Sequence, residues 1–178
     1  MRQRNNSAIK LIFAILFLSF IIPSVIFAFC YKEAGREYNI NPLLLYAISK
    51  TESDLNPSAV NTNSDGTIDI GLMQINSSWI KAINLNPDLL LSDPCYNVKT
   101  GADILKKCID MHGYTWEAVG CYNAVSRNKR VKYSRKIFDR LTSEAEKIRN
   151  LEDEKKTVKK SRSASKTEGS QFFFSISD

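Results

Sequence analysis

A mainly α-helical domain with one small hairpin or irregular loop is the fold class this sequence predicts. Two segments open on Asn41-Pro42 and Asp93-Pro94, where Asn or Asp caps a helix and Pro suits its first position. Behind these starts, apolar residues recur at helical spacing, as in Leu44 and Ile48, or Val98, Ala102, Leu105 and Ile109. No internal repeat and no parallel-strand pattern competes with that reading.

The elements follow in order. Residues 30–38 read as a short helix and residues 39–41 as a turn. The helix that Asn41-Pro42 starts runs through LLLYAISKTES and stops before Asn56-Pro57. Residues 61–69 (NTNSDGTID) are turn-rich, with Asp65-Gly66 at the tip of a hairpin or irregular loop. A further helix is expected to begin near Gly71 and to include GLMQINSSW. Residues 84–94 are expected to form a loop that leads into a helix over 97–111. Residues 116–124 and 132–141 read as the last two helices.

The 178 residues support one modest domain with appendages. Residues 1–10 are polar and basic, residues 11–22 (LIFAILFLSFII) are unbroken apolar, and Pro23-Ser24 ends the run. That order is a secretory signal peptide over residues 1–28, with Ala28 before the cut, although Ile26 stands where a smaller residue is preferred. An uncleaved membrane anchor is the alternative. The ordered domain is then placed at 29–142. The charged, apolar-poor segment 143–178 is expected to be a disordered or frayed helical tail, ending in the adjacent Phe172, Phe173 and Phe174.

The net charge of +6 is mostly a leader effect: residues 1–28 contribute +3 and the segment from Ser143 +1. Only +2 remains for the domain, so nucleic-acid binding loses its support. A single histidine argues against a multi-imidazole zinc site and leaves little room for a Ser-His-Asp triad. Neither a metal nor another cofactor is expected. Four cysteines, Cys30, Cys95, Cys108 and Cys121, all follow the leader, and an even count in an exported chain favours two disulfides. Three connectivities are open. If the helices flanking His112-Gly113-Tyr114 fold back antiparallel, Cys108 and Cys121 come level, which leaves Cys30 with Cys95.

Two carboxylates stand out. Glu52 continues the stripe of Leu44 and Ile48, where desolvation would raise its pKa and keep it protonated near neutral pH. Asp69 lies 17 residues later in a polar, turn-rich stretch. An apolar acid beside a polar carboxylate suits glycosidic-bond cleavage.

The Glu52-Ser53 pair, the segment from Gly71 to Asn76 (GLMQIN) and Tyr122-Asn123-Ala124 together resemble the lysozyme-like lytic transglycosylase (SLT-type) family. With Trp116–Ala124, the chain is most similar to small exported members that accompany type III secretion and conjugation machines. The resemblance spans roughly residues 30–140 and implies a lysozyme-like fold, a periplasmic location and peptidoglycan glycan strands as substrate. It implies that Glu52 is the sole acid/base in cleaving the MurNAc-GlcNAc bond to a 1,6-anhydro product, a lyase reaction. Ser53 would orient Glu52 or touch the sugar. Met73 and Gln74 would line the glycan cleft, with Tyr122 and Asn123 across it and Tyr133 nearby. A secretion or conjugation component is an implied partner. The chain departs from the pattern at Val125, where the family usually has Gly. Residues 61–79 also resemble animal-type lysozymes, whose Glu-to-Asp interval matches that of Glu52 and Asp69, so a hydrolase using both is the runner-up. A non-catalytic peptidoglycan-binding assembly factor is the reading from another class.

Overall fold

The computed structural model of the protein describes residues 30–171, with side chains through residue 159. The expected leader, the end of the tail and Phe172 to Phe174 lie outside the described residues. Contacts divide the chain into two units at Phe138/Asp139.

The first unit is mainly α with a small sheet, a lysozyme-like arrangement. Helix α1 covers residues 30–38, and α2 covers Pro42–Ser53 behind Asn41, whose side chain accepts from the Leu43 amide. A three-stranded antiparallel meander follows, β1 (Val60–Thr62), β2 (Ile68–Ile70) and β3 (Ile75–Asn76). Asn61 pairs with Asp69 across β1 and β2, and Asp69 with Asn76 across β2 and β3. Short helices α3 (Ser77–Ala82) and α4 (Pro87–Ser92) lead to α5 (Pro94–His112) and α6 (Trp116–Asn123). Helix α7 (Arg127–Gln171) closes the described chain.

Helix α5 is the axis of the core. It buries Val98, Ala102, Ile104 and Leu105, while α2 buries Leu44, Leu45, Ala47 and Ile48. Cys30 bridges Cys95 and Cys108 bridges Cys121, so α1 is tied to the start of α5 and α6 to its end. Closing such loops restricts the unfolded chain, by roughly 3 kcal/mol for a loop of about 15 residues in the chain-entropy account.

Three segments differ from expectation. No helix starts at Gly71; residues 71–74 form turns that enter β3, and the helix begins only at Ser77. The cause is Asn97, fully buried on α5: its amide donates to the carbonyls of Ile70 (2.9 Å) and Leu90 (3.0 Å), and its oxygen accepts from the Met73 amide at 2.8 Å. Those bonds replace the helical ones. Gly71, at φ +76°, leaves room for that side chain, since a Cβ there would lie 2.1 Å from the Asn97 amide nitrogen.

Residues 84–94 are not all loop. Asn86-Pro87 repeats the Asn41-Pro42 start, with the Asn86 side chain accepting from the Asp88 and Leu89 amides, and α4 anchors itself through the fully buried Leu90. The last helix is also longer than 132–141. It begins at Arg127 and continues through Gln171, which for residues 143–171 is the helical one of the two expected alternatives. In this second unit the helix carries Glu144–Lys147 and Asp153–Lys156 pairs three residues apart, with Ile148 and Leu151 exposed. Among the described residues no helix is long and apolar enough to cross a membrane.

Candidate active site

Glu52 occupies the last turn of α2, one residue before its end. Leu44 and Ile48 below it are buried, so the same helical face that enters the core delivers the carboxyl to the edge of the core. Helix α7 supplies Tyr133, only 8% exposed, whose hydroxyl donates a short hydrogen bond to Glu52 Oε1. Burial pushes the Glu52 carboxyl above the ordinary glutamate range. The Tyr133 hydrogen bond and the Lys136 charge pull it partly back, and the Asp69 charge adds to the rise. Burial also raises the Tyr122 and Tyr133 phenols well above their ordinary value, so both act as donors at neutral pH.

The sheet supplies the second carboxylate. Asp69 Oδ1 accepts from Asn76 Nδ2 at 2.7 Å, and Oδ2 accepts from Asn63 Nδ2 at 2.9 Å. Asn76 sits beside Asp69 in the register, and its own oxygen caps α3 by accepting from the Ser78 amide at 2.9 Å. Asn76 from the paired strand and Asn63 from the turn after β1 thus hold the carboxylate on both oxygens.

The turn of residues 71–74 ties α2 to the sheet. Ser53 Oγ donates to the Leu72 carbonyl at 2.9 Å, and the Tyr122 hydroxyl donates to the Met73 carbonyl at 2.7 Å. Gln74, held at φ 49°, donates to the carbonyls of Gly71 (2.8 Å) and Ala59 (3.3 Å) and accepts from Asn61 Nδ2 at 2.6 Å. The turn is thus braced from α2, α5, α6 and β1.

These parts border a cleft of about 640 Å³ lined by Glu52, Asp69, Gln74, Tyr122, Asn123, Trp79 and Lys129, with Asn63 and Asn76 beside Asp69. Its size falls in the range of small-molecule and oligosaccharide-sized pockets. Of the residues singled out in the sequence, Glu52, Asp69, Gln74, Tyr122 and Asn123 meet there. Met73, Ser53 and Tyr133 do not line it. The Met73 side chain is fully buried against Gly101, its sulfur accepting from Ser49 Oγ at 2.8 Å, so it packs the core instead of facing the cleft. The Ser53 hydroxyl is engaged by the Leu72 carbonyl and its own helix, and so braces the turn rather than orienting Glu52. Tyr133 reaches the site through Glu52. Val125 is 92% exposed and is not among the residues with positive φ, so the segment after Asn123 needs no glycine. Arg130 Nε donates to the neighbouring Ala124 carbonyl at 2.9 Å and holds that segment.

Asn63, Asn76, Asn97, Trp79 and Lys129 are not singled out as site residues by the sequence. Asn63 reads as part of a turn, and Asn76 and Asn97 as parts of helices; only the fold brings the Asn63 and Asn76 amides onto the Asp69 carboxylate. Among the described residues no group of three or more His, Cys, Asp or Glu could hold a metal ion.

The family model described as the transglycosylase SLT domain matches residues 29–140. The chain belongs to the transglycosylase SLT family. Within it, this SLT chain is 38% identical to the invasion protein IagB of Salmonella typhimurium over 140 residues, covering 77% of this chain and 88% of IagB. It is 40% identical to the protein IpgF of Shigella flexneri over 135 residues, covering 72% and 88% respectively. A peptidoglycan-binding-like protein of Escherichia coli O157:H7 is 36% identical over 137 residues, covering 68% and 82%.

Proposed function

We propose that this SLT chain is a peptidoglycan lytic transglycosylase that works in the periplasm, exported by its apolar leader, and opens the wall for a secretion or conjugation apparatus. The observation that carries the reading is the buried Glu52 carboxyl, bonded to Tyr133 and bordering a polar cleft. In this reading Glu52 enters the reaction protonated and gives its proton to the oxygen between N-acetylmuramic acid and N-acetylglucosamine. The C1–oxygen bond breaks and positive charge develops on the muramyl ring. The Glu52 carboxylate, which Tyr133 stabilises, then takes the proton from the muramyl 6-hydroxyl as O6 closes onto C1. The 1,6-anhydro sugar leaves, Glu52 is protonated again, and no water is consumed.

Asp69 supports a second reading. It borders the same cleft, held on both oxygens by Asn63 and Asn76, where a lysozyme-type hydrolase would want a fixed second carboxylate. A non-catalytic binder has less support, because burying an acid at the cleft destabilises its charged form with no benefit to binding. Replacing Glu52 with Gln separates catalysis from binding. The proposal expects loss of muropeptide release with sacculus binding retained, and unchanged release would sink it.

A further inference from the structure

Four charged side chains line the cleft, and three of them are engaged within the protein. Glu52 accepts from Tyr133, Asp69 accepts from Asn63 and Asn76, and Asp65 accepts from the Thr67 hydroxyl at 2.7 Å and its amide at 3.0 Å. Lys129 is the fourth. It is exposed, lines the cleft together with Glu52 and Asn123, and makes no ion pair or hydrogen bond among the described residues. Its neighbour Arg130 is used differently, donating to Glu117 at 3.0 Å and to the Ala124 carbonyl at 2.9 Å. Nor does helix stability account for Lys129: it lies in the first turn of α7, which has no acidic residue, and there the helix dipole opposes a cation.

We propose that Lys129 is a specificity residue that pairs with a carboxylate carried by the muramyl 3-O substituent of the glycan. The inference rests on the glycan-cleaving reading above. An ammonium on a four-carbon stem suits a point contact with an anion that varies in position. Two sources offer the same chemistry: the lactyl carboxylate of a muramyl residue without its peptide, and the free carboxyl groups of a peptide stem. A strand of N-acetylglucosamine alone offers neither.

Binding is measured on the full mature chain carrying Glu52→Gln, to prevent turnover. Three probes are used: stem-free muroglycan, stem-bearing muroglycan and neutral chitooligosaccharide. Lys129→Gln should weaken a carboxylate-bearing probe about threefold to fivefold, the scale of an exposed ion pair. Chitooligosaccharide binding should stay unchanged, Lys129→Arg should restore the lost affinity, and the difference should shrink as salt rises. Loss on stem-free glycan assigns the lactyl carboxylate, and loss confined to stem-bearing glycan assigns the stem. Equal loss on the neutral probe, or no loss on any probe, overturns the proposal. A Glu52→Gln chain that binds no glycan at all, with a parent chain that releases no muropeptide, overturns the glycan-cleaving reading instead.

Discussion

The helical side of the cleft and its sheet side each hold a carboxylate, by opposite means. Glu52 stands at the end of an apolar helical face, with one phenolic donor and a carboxyl raised by burial. Asp69 stands on a strand flanked by asparagines, and two amide donors hold its oxygens. The first environment favours a group that carries a proton, and the second favours a group that stays fixed in place. Two chemically similar side chains are thereby prepared for different work by the secondary structure that carries them.

Exchanging each acid for its amide is the strongest way to break this comparison. Glu52→Gln should lower muropeptide release by about a hundredfold to ten-thousandfold, the range for losing a general acid/base. Asp69→Asn should cost about tenfold or less if the lyase reading holds, whereas a loss as large as that of Glu52→Gln would make the two carboxylates equal partners. The same Glu52 substitution has a stability signature. A raised folded-state pKa favours the protonated form, so its stabilising contribution is present below the ordinary glutamate range and disappears as pH rises through the raised value. Glu52→Gln should therefore raise Tm at neutral pH, and that gain should vanish in acid.

The turn of residues 71–74 comes next. Asn97→Leu would orphan the Met73 amide and the Ile70 and Leu90 carbonyls, all buried beside α5. A loss of roughly 3–9 kcal/mol in urea unfolding is expected, at about 1–3 kcal/mol for each unmet group. A loss under about 1 kcal/mol would show that the turn is held by Ser53 and Tyr122 instead.

Smaller effects sharpen the electrostatic side. Tyr133→Phe removes the hydrogen bond that favours the Glu52 carboxylate, so the alkaline limb of kcat/KM should move to higher pH and the maximal rate should fall about tenfold. Lys136→Met removes a favourable charge with no direct bond, so its limb should move in the same direction by less. A limb that moves to lower pH in either variant would contradict the assignment of that limb to Glu52.

How much of this was legible follows from range. Glu52 is readable because Leu44, Ile48 and the carboxyl share one helix, and the Asn41-Pro42 and Asp93-Pro94 starts are purely local. The α4 start at Asn86-Pro87 carries the same local signal, and its apolar run Leu89-Leu90-Leu91 disguises it as loop. Asn97 is different in kind. Its partners Met73 and Ile70 lie 24 and 27 residues away, so nothing near Asn97 reveals that it cancels a helix at Gly71. Met73 is misread for a similar reason, since the turn reverses the side chain into the core while its carbonyl meets Tyr122. Lys129 escapes notice because a lysine among bases reads as a solvated face until the carboxylates around it are seen to be engaged.

The most direct test of the central claim is mass spectrometry of the muropeptides that the mature chain releases from purified sacculi. Glu52 acting alone on the muramyl 6-hydroxyl predicts products one water lighter than reducing-end sugars. Reducing-end products would contradict it, and would make Asp69 the partner that brings water to the cleaved bond.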